Sequence, residues 1–221
     1  MALRWFLDTA DTKSWQEWMP TGLFYGLTSN PVLLERAGEA CTLPNLTRLA
    51  TQAFNMGARE FHAQTWGETV DALTDNGVAL AAIDPRVFVK VPITLNGTLA
   101  SARLIARKIP VTTTALYAAH QAGTSMALGA AYAAPYLGRM DESGRDGHGT
   151  VISMQRMIRA MESPMRLLVA SLRRVESIPA LIEQGVDTFT LGPSLLPALF
   201  KDDATLSAAR DFERAAAAMA R

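Results

Sequence analysis

The chain has 221 residues, enough to bury a large apolar core and within the length at which an α/β barrel runs as one domain. Apolar residues make up 49% and charged residues 19%, which excludes a disordered or fibrous chain. Lysine plus arginine (21) equals aspartate plus glutamate (21), so no net field draws the protein to nucleic acid or an anionic membrane.

The first segment, M-A-L-R-W-F-L-D, reaches Asp8 without the apolar run of a signal peptide and reads as a strand over residues 4–8. Runs rich in β-branched and aromatic residues predict further strands at 23–28, 59–65, 87–92, 109–114, 131–137, 166–171 and 188–191. Stretches of helical period predict helices at 31–37, 45–56, 68–82, 97–108, 116–128, 151–161, 178–184 and 205–219. Asn30-Pro31 marks a helix start, and Gly185 stops the helix that begins near Ile178.

Eight strands with crossovers long enough for parallel pairing predict the α/β class and a single (β/α)₈ barrel over residues 1–221. The competing architecture, an open doubly wound sheet, opens with a Gly-rich phosphate loop after its first strand. Here that place holds Asp8-Thr9-Ala10-Asp11. The polar, Gly-containing segment from Gly138 to Gly149 follows the sixth strand and reads as an active-site loop.

Cys41 is the only cysteine, which removes intramolecular disulfides and Cys-based metal cages and suits a reducing cytoplasm. The most apolar later stretch, residues 118–138, carries His120, Gln121, Thr124 and Ser125 and makes a poor membrane span. The three histidines, His62, His120 and His148, lack metal-ligand spacing, and neither a calcium-loop nor a nucleophile-elbow pattern occurs. No metal and no cofactor are expected.

Barrel enzymes carry their chemistry where strands end on the C-terminal face. The polar side chains at those positions are Asp8, Thr28, Asn30, Gln64, Lys90, Thr114, Tyr136, Arg139, Ser171 and Arg173. Lys90 is the most informative. In F-V-K-V-P, Phe88 and Lys90 share one face of the strand and Val89 and Val91 the other. If the valines pack under the helices, Lys90 projects into the barrel, where desolvation supplies the free amine that carbonyl attack requires. Against this stands an exposed strand lysine, the usual case. The chain holds four lysines (Lys13, Lys90, Lys108, Lys201) against seventeen arginines, so a lysine kept in mid-strand points to chemistry that only a primary amine performs.

Asp8, at the end of the first strand, suits a general acid or base; the competing account is a cap for a helix beginning near Asp11 or Thr12. Asn30 has the same alternative, as the cap before Pro31. Arg139, Ser171 and Arg173 could hold a phosphate through charge-assisted bonds, against a solvated helix start for Arg173. Backbone N–H groups at Gly192 to Ser194 offer another phosphate position.

Five ordered motifs, F-L-D-T-A-D, G-L-T-S-N-P, F-V-K-V-P-I-T, A-P-Y-L-G-R-M-D and V-A-S-L-R, resemble the transaldolase family from Leu7 to about Pro193. Length and motif spacing are most similar to its short branch, the fructose-6-phosphate aldolases and short transaldolases. The resemblance implies that Lys90 is the Schiff-base lysine and Asp8 the catalytic aspartate, and that Thr28 and Asn30 bind the dihydroxyacetone hydroxyls. It implies a phosphate site of Arg139, Ser171 and Arg173, a catalytic water positioned by Thr114 and Gln64, and Tyr136 as acid or base. The Gln64 alignment competes with His62, two residues earlier on the same face.

The family usually shows T-T-N-P-S where this chain has T-S-N-P-V, and T-T-T-A-L-Y in the fifth strand also departs from common variants. Both departures bear on substrate preference. The Gln64–Tyr136 pair is more similar to the aldolases, whereas long transaldolases tend to carry Glu and Phe there. The resemblance further implies a small-molecule sugar phosphate as partner and a ring-like homo-oligomer, a pentamer or decamer, with the C-terminal helix of about residues 205–221 reaching a neighbouring subunit. Two rivals remain: a true transaldolase of the pentose phosphate pathway, and a barrel that binds sugar phosphates without turnover.

Overall fold

The structure, a computed structural model, describes residues 2–220. Eight parallel strands close into a barrel in chain order: β1 Arg4–Asp8, β2 Phe24–Thr28, β3 Glu60–Gln64, β4 Val87–Pro92, β5 Val111–Leu116, β6 Tyr132–Pro135, β7 Arg166–Val169 and β8 Thr188–Leu191. Closure comes from pairing β1 with β8, Arg4 opposite Thr188 and Leu7 opposite Leu191. The helices are α1 Thr12–Trp18, α2 Pro31–Ala37, α3 Leu43–Asn55, α4 Val70–Ala81, α5 Leu95–Ala106, α6 Ala119–Leu128, α7 Leu137–Glu142, α8 Gly147–Ala160, α9 Ser177–Glu183 and α10 Asp203–Met219.

Strand periodicity sorts the side chains into two cores. One face of each strand packs under the helices: Leu7, Leu27, Phe61, Val89, Val91, Val111, Ala133, Leu167, Val169, Phe189 and Leu191 join one large apolar cluster. The other face fills the barrel lumen, where Phe6, Tyr132, Ala134 and Leu168 pack with Phe88 and Tyr25. Phe88 and Lys90 therefore face inward, as the alternation in F-V-K-V-P predicts. Gly26 lets β2 lie close to its neighbours, because a Cβ there would sit 2.3 Å from the Glu60 carbonyl oxygen and against the Phe6 ring.

Three expectations need correction. The helix α1 is missing from the predicted series, where it entered only as the helix that Asp8 could cap; Asp11 starts it by accepting from the Lys13 and Ser14 N–H groups. The segment Gly138–Gly149 is not an open loop: α7 occupies most of its first half and α8 begins at Gly147. Its glycines serve close approach and short caps. A Cβ on Gly138 would lie 2.1 Å from the Ser171 carbonyl oxygen, Gly144 turns the chain at φ 75°, and Asp146 caps α8 through the Gly149 N–H. The fifth strand also runs past Thr114 to Leu116 through a bulge at Ala115, whose φ is 61°.

Among the described residues, no helix is long and apolar enough to cross a membrane.

Candidate active site

Lys90 is 3% exposed and opens into a cavity of 320 Å³ at the C-terminal mouth, together with Asp8, Asn30, Arg36, Tyr136, Arg139, Glu142, Ser171 and Arg173. Seven of the ten residues singled out by strand position thus line one space. The other three reach it through neighbours. Thr28 Oγ1 donates to Asp8 Oδ1 at 2.6 Å and lies 2.5 Å from Thr190 Oγ1, which fixes the carboxylate from below. Thr114 Oγ1 donates to the Tyr136 hydroxyl at 3.1 Å. Gln64 stands in register with Lys90 on the adjoining strand.

The bulge at Ala115 keeps Thr114 pointing inward while returning Leu116 to the helix side, so it holds the Thr114–Tyr136 contact in place. Asp8 does not cap a helix; that task falls to Asp11. Asn30 does cap α2, accepting from the Leu33 N–H at 3.1 Å, and this uses only its side-chain oxygen. Its amide NH₂ remains a donor on the cavity side.

Around the three residues expected to hold a phosphate, the structure adds partners that the sequence does not announce. Arg173 is held in a two-pronged bond by Glu142, at 2.6 and 3.3 Å, and its third nitrogen donates to the Ser171 carbonyl at 3.1 Å. The Arg173 guanidinium holds the Glu142 carboxyl below the usual carboxylate range. Arg139 lies 4.9 Å over the Tyr136 ring and donates weakly to the Tyr117 hydroxyl at 3.5 Å. Ser171 sits in the left-handed region at φ 63°, uncommon for a side-chain-bearing residue, and its buried hydroxyl meets no partner among the described residues.

Arg36, on α2, escapes an inventory of strand ends because it lies two helical turns beyond β2. It lines this cavity and a second one of 530 Å³ that reaches Gly192, Pro193 and Ser194, and it forms no salt bridge among the described residues. A helical periodicity that ends in an arginine on the mouth side of α2 is the one signal that could have found it.

Below Lys90 the lumen carries a buried polar cluster of Arg4, Glu60, His62, Thr112 and Tyr132. Burial is the largest influence on His62 and pushes it below the ordinary histidine range, against the pull of Glu60. Burial pushes the Glu60 carboxyl up, but the bonds and charges of His62, Tyr132 and Arg4 outweigh it and hold the group below the usual carboxylate range. For both groups the unfolded chain takes up protons first as pH falls. Their stabilising contributions are complete above the unfolded values, and fade on acidification through about 6.5 for the histidine and then through the carboxylate range. Thermal melts between about pH 8 and 5 are expected to show a falling melting temperature, and His62→Phe is expected to remove the upper part of that fall. A melting temperature flat across this window in the wild type would contradict it.

The fold is a closed (β/α)₈ barrel whose C-terminal mouth opens onto a buried lysine. The family described as transaldolase/fructose-6-phosphate aldolase matches residues 5–221, and the chain belongs to that family of aldolase and transaldolase enzymes acting on sugar phosphates. Similar curated proteins include probable transaldolases from Caulobacter sp. strain K31 (31% identical over 200 residues, 90% of each chain) and Phenylobacterium zucineum (28% over 207 residues, 94% of this chain and 93% of the relative). A probable transaldolase from Thermus thermophilus is 30% identical over 204 residues, covering 90% of this chain and 92% of the relative. Among solved structures, a mandelate oxidase mutant with an FMN adduct superposes with a TM-score of 0.58 at 11% identity. It covers 86% of this chain, which spans 64% of that one, and the likeness concerns the barrel fold alone.

Proposed function

We propose that the protein is a class I, Schiff-base aldolase of the fructose-6-phosphate aldolase kind, acting on ketose phosphates in the cytoplasm. The observation that carries the reading is the buried Lys90 amine opening into the same cavity as Asp8, Asn30, Tyr136 and Ser171. Lys90 attacks the C2 carbonyl of a ketose phosphate such as fructose 6-phosphate, water leaves, and the resulting iminium serves as the electron sink for breaking C3–C4. Asp8 or Tyr136 takes the proton of the C4 hydroxyl through a water held by Gln64 and Thr114. Thr28 and Asn30 hold the hydroxyls of the three-carbon unit, Asn30 through the amide group that its cap leaves free.

Arg139, Ser171 and Arg173 anchor the phosphate, joined by Arg36. A phosphate dianion displaces Glu142 from Arg173, because an exposed ion pair is weak and the incoming group carries more charge and more acceptor oxygens. The unpartnered Ser171 hydroxyl supplies a further donor.

The enamine left on Lys90 has two fates. Protonation and hydrolysis release dihydroxyacetone, the aldolase outcome, and the Tyr136 hydroxyl held by Thr114 favours it as a proton source. Addition to an acceptor aldehyde gives a transaldolase, the reading favoured by the names of the curated relatives. Borohydride trapping with fructose 6-phosphate, followed by mass spectrometry, is expected to add a three-carbon unit to Lys90. Glyceraldehyde 3-phosphate is expected to form without any acceptor aldehyde; turnover that requires an acceptor would favour transaldolase instead.

The same reading extends to assembly. Helix α10 buries no residue against its own barrel and exposes Leu206, Phe212 and Met219. It packs on a neighbouring subunit of a ring-like homo-oligomer, and a monomer mass by light scattering would overturn this.

A further inference from the structure

Helix α7 begins without the side-chain cap that helix starts ordinarily carry. Tyr136 stands in the cap position and its side chain accepts nothing from the first turn, so the leading N–H groups need carbonyls from another element. The end of β7 supplies them. Tyr136 forms a bridge to Ala170, the Leu137 N–H donates to the Ala170 carbonyl at 3.0 Å, and the Gly138 N–H donates to the Ser171 carbonyl at 3.0 Å. The β6–β7 ladder thus runs on, past the last residues of both strands, into the helix that carries Arg139.

Ser171 completes this joint in an unfavourable backbone conformation. Its φ of 63° lies in the left-handed region, and its carbonyl takes two bonds, one from the Gly138 N–H and one from Arg173 Nη1 at 3.1 Å. One carbonyl oxygen therefore ties together the two elements that carry the phosphate-site arginines. Only glycine at position 138 lets the joint close, because a Cβ there would lie 2.1 Å from that oxygen and 2.9 Å from Cγ of Arg173. The Arg173 stem lies against the bare Cα, while Glu142, later in α7, grips the other edge of the guanidinium at 2.6 and 3.3 Å.

We propose that Gly138 is a positioning residue for phosphate binding: it clasps the start of α7 to the Ser171 carbonyl and so sets Arg139 and Arg173 at a fixed spacing before the substrate arrives. The proposal rests on the reading that Arg139, Ser171 and Arg173 anchor the phosphate. Two guanidinium groups grip one dianion only when their separation suits it, and a long side chain on a mobile base loses more freedom on binding than one on a fixed base. The clasp holds both bases still. The Leu137 and Gly138 N–H groups are committed to β7, so this helix start donates neither to an anion, and recognition falls on the side chains. The Ser171 hydroxyl, buried and without a partner among the described residues, belongs to the same joint.

A single methyl group is enough to open the clasp. Carbon needs about 3.3 Å from a carbonyl oxygen, so alanine at 138 drives the first turn of α7 back from Ser171 by roughly 1 Å. Arg139, the next residue, moves with the turn. The Arg173 stem is pushed aside at the same time, since it meets the same methyl group. A misplacement of this size costs up to about 100-fold where groups must converge on one ligand. Lys90 and Asp8 stand on β4 and β1, away from this joint, and keep their places.

The test separates phosphate binding from chemistry at Lys90. Gly138→Ala is expected to raise KM for fructose 6-phosphate, and the inhibition constant of inorganic phosphate against it, by roughly tenfold or more, with kcat held within about threefold. Borohydride trapping on Lys90 of dihydroxyacetone, which carries no phosphate, is expected to run at the wild-type rate. An unchanged inhibition constant overturns the positioning role, and so does a fall in trapping that matches the loss of phosphate affinity, the mark of general damage to the barrel. Should Gly138→Ala fail to fold, the wild type decides: hydrogen exchange at the Gly138 amide is expected to be slow in the free enzyme and to stay slow under saturating inorganic phosphate. Fast exchange before phosphate is added overturns the preset spacing. If inorganic phosphate does not compete with fructose 6-phosphate in the wild type, the phosphate reading of the three residues fails, and the role of the clasp with it.

Discussion

Lys90→Met is expected to lower kcat/KM for fructose 6-phosphate by roughly 10⁴-fold or more, since removal of a covalent nucleophile takes away a whole reaction route rather than one hydrogen bond. Methionine keeps the length and the apolar stem within the lumen. No ion pair among the described residues is lost, and a buried polar amine is removed, so the melting temperature should hold or rise. Lys90→Arg should be equally inactive, because a guanidinium does not give up its proton in a protein. The other lysines, Lys13, Lys108 and Lys201, are exposed and offer no substitute site. Steady-state kinetics with mass spectrometry after borohydride treatment reads both effects, and activity surviving in Lys90→Met would end the mechanism proposed for this chain.

Asp8→Asn should cost roughly 10²- to 10⁴-fold in kcat, the range for loss of a general acid or base. The amide has the shape of the carboxylate and its oxygen still accepts from Thr28, so the hydrogen bond at 2.6 Å and its link to Thr190 survive. What disappears is the ability to take the C4 hydroxyl proton. Cleavage should therefore fail while Lys90 still forms its imine, giving a variant that under borohydride traps uncleaved fructose 6-phosphate, or added dihydroxyacetone, on Lys90 yet turns over slowly. Equal losses of trapping and turnover would mean that Asp8 acts earlier, at imine formation, and near wild-type kcat would remove it from the chemistry.

The strand patterns, the barrel class and the strand face shared by Phe88 and Lys90 were legible in the sequence because they depend on short-range order. Side chains alternate faces every residue along a strand, so F-V-K-V-P places Lys90 opposite its valines without reference to the rest of the chain. Asn30-Pro31 works in the same way, since capping is settled within four residues. Local order also explains the misreading of Gly138–Gly149. Glycine density ordinarily marks a loop, but here Gly138 passes within contact of the Ser171 backbone, a neighbour absent from its own stretch of sequence.

The partners of the site belong to a different level. Glu142 with Arg173, Thr28 with Thr190, and Glu60 with Tyr132 are separated by 31, 162 and 72 positions, and no periodicity links them. The sequence by itself determined which residues share a strand face. The tertiary structure alone decided which lumen residues meet, because that depends on how far each strand slides past the next before β1 closes on β8. One residue of slip would turn Lys90 toward the helices and separate Thr112 from His62.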